Sequence, residues 1–178
     1  MEYKTVDDVY AANAAIREKF KSAFESLSDQ KLNARPEGED WSVSQIVEHV
    51  AVVNGGALRI CAKLLGKAEA AGKTNDGSVL ISNEFIEAGA SASGQKLEAP
   101  EMVRPINNVS IADSLAKLDE QQAQYADLKA KFEAVDGIDA KFPHPYFGDL
   151  SAQEWLVLSG AHEIRHLKQI RRVLHAIG

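Results

Sequence analysis

The segment His162-Glu163-Ile164-Arg165-His166 places two imidazoles four residues apart. On a helix that spacing sets them one above the other on a single face, where both can bind one metal ion. The same five residues match the H-E-x-x-H signature, in which the histidines hold zinc and the glutamate is a general base. Glu163 is therefore a candidate catalytic residue, about 100° around the helix from His162. A third imidazole lies far upstream. His49 falls on the stripe Ser42, Gln45, Ile46, His49, Val52, Val53 and Gly56, which has helical period. Side chains on facing helices converge in a bundle core, so His49 can complete the set with His162 and His166. Three neutral imidazoles leave coordination positions open, as catalytic sites do, whereas structural zinc sites are closed by four protein ligands. An open position takes a water of lowered pKa or a thiol bound as thiolate. The expected cofactor is a divalent metal ion, zinc first, with nickel or iron also suited to imidazole.

These residues need helices to bring them together, and four segments carry helical periodicity behind a capping signal. The first opens at Thr5-x-x-Asp8 and shows Val9, Ile16, Phe20 and Leu27 along one face. The second opens with the capping box Ser42-x-x-Gln45 and runs to about Leu65. The third starts at Ser110, with Ile111, Leu115, Leu118, Tyr125 and Phe132 at helical spacing. The last starts at Ser151-x-x-Glu154 and runs to about Ile177. The gap from Gly66 to Val109 is far longer than most helix connections, with room for a short helix over Ile81 to Ala90. A connection of that length can cross the bundle and leave two helices parallel. The expected fold is all-α: one domain over residues 1–178, a four-helix bundle with one long crossover between its second and third helices, the crossover serving as a partial lid.

Composition narrows the function. Hydrophobic residues make up 45% of the 178 and the net charge is −6, which argues against nucleic acid and against an acidic membrane surface as partners. No stretch is apolar enough to span a bilayer, and Cys61 is the sole cysteine, so a cytoplasmic location is expected. Cys61 itself reads as a small buried hydrophobe. The protease reading of H-E-x-x-H is disfavoured. Gln169 and Arg172 stand where the extended signature needs glycine and histidine, and little strand signal exists to bind an extended peptide. Gln45 and Ser159, one turn from ligand candidates, are candidates for orienting imidazoles or contacting substrate. His144, flanked by prolines, reads first as a turn-stabilising residue.

The motifs together resemble a known family. Trp41-Ser42-x-x-Gln45-Ile46-x-x-His49-Val50 is similar to the second-helix motif of the DinB-like metal-binding bundles. His144-Pro145-Tyr146-Phe147-Gly148-Asp149-Leu150, Glu154-Trp155-Leu156, and His162 and His166 followed by Gln169-Ile170 resemble the end of the same family. The resemblance implies a four-helix bundle, often dimeric, with a metal held by His49, His162 and His166. Branches of the family use low-molecular-weight thiols. The implied function is a metal-dependent enzyme that activates such a thiol, or a water, for transfer to or hydrolysis of a small molecule. The alternative is a non-catalytic bundle that binds metal or ligand. A homodimer is the expected assembly.

Overall fold

The computed structural model describes residues 3–107 and 109–178. Its helices are α1 (Val6–Ser22), α2 (Asp29–Asn33), α3 (Val43–Ala70), α4 (Asn83–Ala92), α5 (Ile111–Ala134) and α6 (Ala152–Ile177). The long ones, α1, α3, α5 and α6, form the bundle, with α3 packed on α5 and α6 and α1 packed on α6.

Each long helix begins where its capping residue dictates. Thr5, Ser42 and Ser151 accept the amides of Asp8, Gln45 and Glu154, and those side chains return a bond to the cap backbone. Ser110 caps α5 through Asp113. Caps of this kind stabilise a helix by about 1 kcal/mol each. Glu154 does more: its Oε1 also accepts from the backbone and hydroxyl of Ser82, the cap of α4. The start of α4 is thereby tied to the start of α6.

Cross-links fix the helix directions. Gln121 bonds the Ala51 carbonyl and Lys131 reaches Glu69, so α3 and α5 run parallel. Asn13 bonds the Leu156 carbonyl and Arg17 bonds Glu163, so α1 and α6 run parallel too. Cys61 beside Ala152 and Asn54 beside Glu163 make α3 and α6 antiparallel. The long connection produces the parallel α3–α5 pair, as its length allows.

The core falls into two apolar clusters. One gathers Val6, Val9, Leu64, Leu65, Phe132 and Trp155; the other gathers Phe20, Phe24, Ile46, Val50, Leu118 and Ile170. Each fully buried large side chain here contributes about 1.5–3 kcal/mol. A polar layer of Arg17, Asn54 and Glu163 lies between them. Gly160 lets α1 approach α6 closely, since a Cβ there would fall 2.0 Å from Asn13 Oδ1.

Two features depart from the sequence reading, and the crossover refines it. The first helix stops at Ser22, and Leu27 packs on the core from beyond it, before the single turn of α2. Strands β1 (Lys141–His144) and β2 (Gly148–Ser151) form an antiparallel hairpin leading into α6. Its three-residue turn closes with Gly148 at φ +73, a left-handed position glycine adopts freely. The crossover holds α4, close to the short helix expected there, and a 3-10 turn over Glu101–Val103. The crossover is pinned to the bundle: Arg165 donates to the carbonyls of Ala92 and Gln95, and the Tyr146 hydroxyl donates to that of Glu98. No helix among the described residues is long and apolar enough to cross a membrane.

Candidate metal centre

Helices α3 and α6 bring His49, His162 and His166 into one cluster. His162 Nε2 lies 3.2 Å from His49 Nε2 and 3.1 Å from His166 Nε2. One ligand atom from each ring can be chosen so that all lie within 4.8 Å of one another. Two nitrogens each about 2.0–2.1 Å from one zinc ion stand roughly 3 Å apart, so this spacing suits a shared cation.

The outer nitrogens set the tautomers. His49 Nδ1–H donates to the Val103 carbonyl at 2.7 Å, and His166 Nδ1–H donates to Gln169 Oε1 at 2.8 Å. Both rings are left with the Nε2 lone pair facing the cluster, the arrangement that outer-shell partners impose on metal-binding histidines. His162 Nδ1 is buried and has no partner among the described residues. Trp41 packs against two of the rings, 4.8 Å from His49 and stacked at 6.3 Å on His166.

Electrostatics keep the trio neutral. Burial pushes His166 down to about 3, with His49 and Arg165 adding repulsion. His162 falls well below the ordinary 6.5 by burial, then by the charges of His166, His49 and Arg165. His49 is lowered by burial, opposed by its bond to Val103. Neutral imidazoles with converging lone pairs form a donor set suited to a divalent cation.

Glu163 is committed elsewhere. The residue is 4% exposed, and its carboxylate accepts two bonds from Arg17, at 2.9 and 2.5 Å, and one from Asn54 at 2.7 Å. Arg17 also donates to the Leu118 carbonyl. The 100° step from His162 carries Glu163 into the layer between the core clusters, and the general-base expectation gives way to an ion pair joining α1, α3, α5 and α6. Among the described residues, Gln45 and Ser159 make no hydrogen bond to a histidine: Gln45 bonds Ser42 and Asn107, and Ser159 bonds Trp155 and Tyr125. His144 accepts from the Tyr146 amide at 3.1 Å, the turn-stabilising role expected of it. Cys61 is fully buried, its thiol pushed up to about 12 by desolvation, which makes it inert. The sequence reading missed Val103, whose contribution is a backbone carbonyl and leaves no side-chain signal. It noted Gln169 without a role, although its place three residues after His166 is the i, i+3 spacing of a helical contact.

A four-helix bundle with a parallel α3–α5 pair and three histidines converging from α3 and α6 defines the class. The sequence pattern of the DinB superfamily matches residues 12–170, and the chain belongs to that superfamily. Over 152 residues it is 26% identical to the uncharacterised protein YuaE of Bacillus subtilis (strain 168), covering 85% of this chain and 88% of that protein. Two solved structures share the fold. TT2238, described as a four-helix bundle protein, aligns at TM-score 0.59 and 23% identity, over 94% of this chain and 98% of its own. YfiT from Bacillus subtilis, described as "a probable metal-dependent hydrolase with an unusual four-helix bundle topology", aligns at TM-score 0.63 and 19% identity, over 97% and 87%.

Proposed function

We propose that the chain is a metal-dependent enzyme acting on a small molecule, with hydrolysis as the leading reaction and transfer of a low-molecular-weight thiol as the second arm of the test. The observation that carries this is the convergence of the imidazoles of His49, His162 and His166, two of them with their Nδ1–H already engaged. The description of YfiT supports the hydrolytic version. Zinc is the ion proposed, since three nitrogen donors with open positions suit it. When bound, a divalent ion there supplies Lewis acidity toward an oxygen or sulfur ligand.

The chain's own residues set the conditions for that chemistry. Val103 and Gln169 orient two of the ligands. Trp41 walls one side of the cluster with an apolar ring. Arg165 adds positive charge nearby, which disfavours protonation of His162 and His166.

Elemental analysis of tag-free protein, beside a His49→Ala variant, tests the site. Near-stoichiometric metal in the wild type and none in the variant is expected. Zinc at a hundredfold excess over its Kd should stabilise the wild type by about 2.7 kcal/mol and leave the variant unchanged. Turnover of activated esters and amides, with and without added thiols, then separates the hydrolytic arm from the thiol arm. Bound metal with no turnover in either arm would mark a binding bundle. A wild type that takes up no zinc, nickel or iron would sink the reading.

A further inference from the structure

Among the described residues, the crossover meets the histidine cluster through the hydrogen bond at Val103, and the grip there is made by three side chains of α3. Gln45, Glu48 and His49 lie at positions i, i+3 and i+4, the spacing of one helix face. His49 donates through Nδ1 to the Val103 carbonyl. Glu48, only 4% exposed, accepts the amide of Ile106 at 2.9 Å through Oε1 and that of Asn107 at 3.3 Å through Oε2. Gln45 donates through Nε2 to Asn107 Oδ1. Asn107 stands at φ +64, a left-handed conformation rare outside glycine and tolerated best by asparagine and aspartate. Residues 103–107 therefore form a strap held to α3 at both ends, one end on the ligand histidine itself. Burying a carboxylate is costly unless its oxygens are hydrogen-bonded, and here the partners are two strap amides.

We propose that Glu48 is a positioning residue for the metal centre, and that closure of the strap 103–107 and metal binding are thermodynamically linked. This rests on the three-histidine site proposed above. Glu48 fixes the strap, the strap places the Val103 carbonyl, and that carbonyl sets the tautomer and ring orientation of His49. Partners of this kind are worth about 10–100-fold in metal affinity. Linkage is reciprocal: a strap that strengthens metal binding tenfold is itself held closed tenfold more firmly by the metal. The pin upstream of the strap, the Tyr146 hydroxyl on the Glu98 carbonyl, plays no part in this.

The test titrates zinc into tag-free wild type, Glu48→Gln and Tyr146→Phe against a competing chelator. In parallel, Glu-C endoproteinase is followed at Glu101, in the turn that ends on Val103 and must open with the strap to be cut, with and without saturating zinc. Glutamine keeps the shape of Glu48 but turns an amino group toward one strap amide. Glu48→Gln should bind zinc about tenfold more weakly, while Tyr146→Phe stays within about twofold. Zinc should slow wild-type cleavage about tenfold, as cleavage through the open state reports its population. The proteolysis arm uses the wild type, so the test stands even where Glu48→Gln fails to fold. Zinc binding unchanged in a folded Glu48→Gln chain, or cleavage indifferent to zinc in a wild type that binds it, overturns the strap and leaves the metal site intact. A wild type that binds no zinc removes both.

Discussion

His162 and Glu163 are neighbours in the chain, yet they serve two buried polar clusters of opposite design. The cluster around Glu163 holds its own counter-charge: carboxylate meets guanidinium, Asn54 adds a donor, and Arg17 spends a remaining N–H on the Leu118 carbonyl. The cluster around His162 is three neutral imidazoles whose Nε2 atoms meet across 3.1 and 3.2 Å. Nothing among the described residues offers these nitrogens a cation. Buried polar groups are normally satisfied within the fold, so a charge balanced by its counter-charge belongs to structure. Three neutral imidazoles gathered without a counter-charge have the chemistry of the metal-binding set proposed above.

The sharpest way to break the contrast is to unbalance the ion-paired cluster. Arg17→Ala leaves the Glu163 carboxylate buried with only Asn54 beside it. Removing one partner of a buried pair costs about 3–5 kcal/mol, because the other charge stays behind without a counter-ion. Urea unfolding should show that loss equally with and without zinc. A loss below about 1 kcal/mol would mean that Glu163 is not held as a charged group by Arg17, and its reassignment from catalysis to structure would fail.

Much of this was legible before any coordinates. The capping boxes at Ser42 and Ser151 placed α3 and α6 within a residue of their observed starts, since a cap is a local bond between residues three apart. The clustering of the three histidines was legible for a related reason: histidines four apart share a helix face whatever surrounds them, and the stripe of α3 carried His49 to the facing side. What was hidden depends on tertiary partners. Glu163 could not be assigned because its acceptors were claimed by Arg17, 146 residues away in the chain. Val103 enters through a backbone carbonyl, invisible in a residue code. The hairpin was hidden because four-residue strands are too short for alternation to speak, and Leu27 misled because an apolar residue on the right spoke can pack from beyond the helix end.

Acid probes the contrast from the other side. Burial holds His166 down to about 3 in the fold, against 6.5 in the unfolded chain. Between these values the unfolded state binds more protons, so stability is fully present above about pH 6.5 and is lost as pH falls below it. From pH 6.5 to 5, His166 alone contributes on the order of 2 kcal/mol of that loss. His49 and His162 shift in the same direction, as does His144, lowered to about 4 by burial in the hairpin. Metal-free protein should therefore lose stability steadily across this range, and His166→Ala should flatten the slope. A wild-type profile flat from pH 7 to 5 would show that the imidazoles are not held neutral by burial, and the cluster would lose its character as a preformed donor set.

The smallest effect is expected where the two clusters are asked whether they need each other. Replacing Arg17, Asn54 and Glu163 together by Met, Leu and Leu removes charge and counter-charge at once, leaving no ion behind. Exchanges of this kind in buried ion clusters are often neutral or stabilising, so unfolding free energy should stay within about 2 kcal/mol of wild type, well short of the Arg17→Ala loss. Asn54 has to change with the others, because its Nδ2 would otherwise lose its acceptor while its Oδ1 already has no partner among the described residues. Zinc affinity should remain within about twofold, since His49 takes its orientation from Val103 and His166 from Gln169, and neither belongs to the ion-pair layer. Tenfold weaker zinc binding in a stable triple variant would give a different account of the neighbours on α6: the Glu163 layer would then set the rotation of the helix that carries His162 and His166, and the division between structural and ligand-binding polarity would hold for the chemistry of the two clusters but not for their energetics.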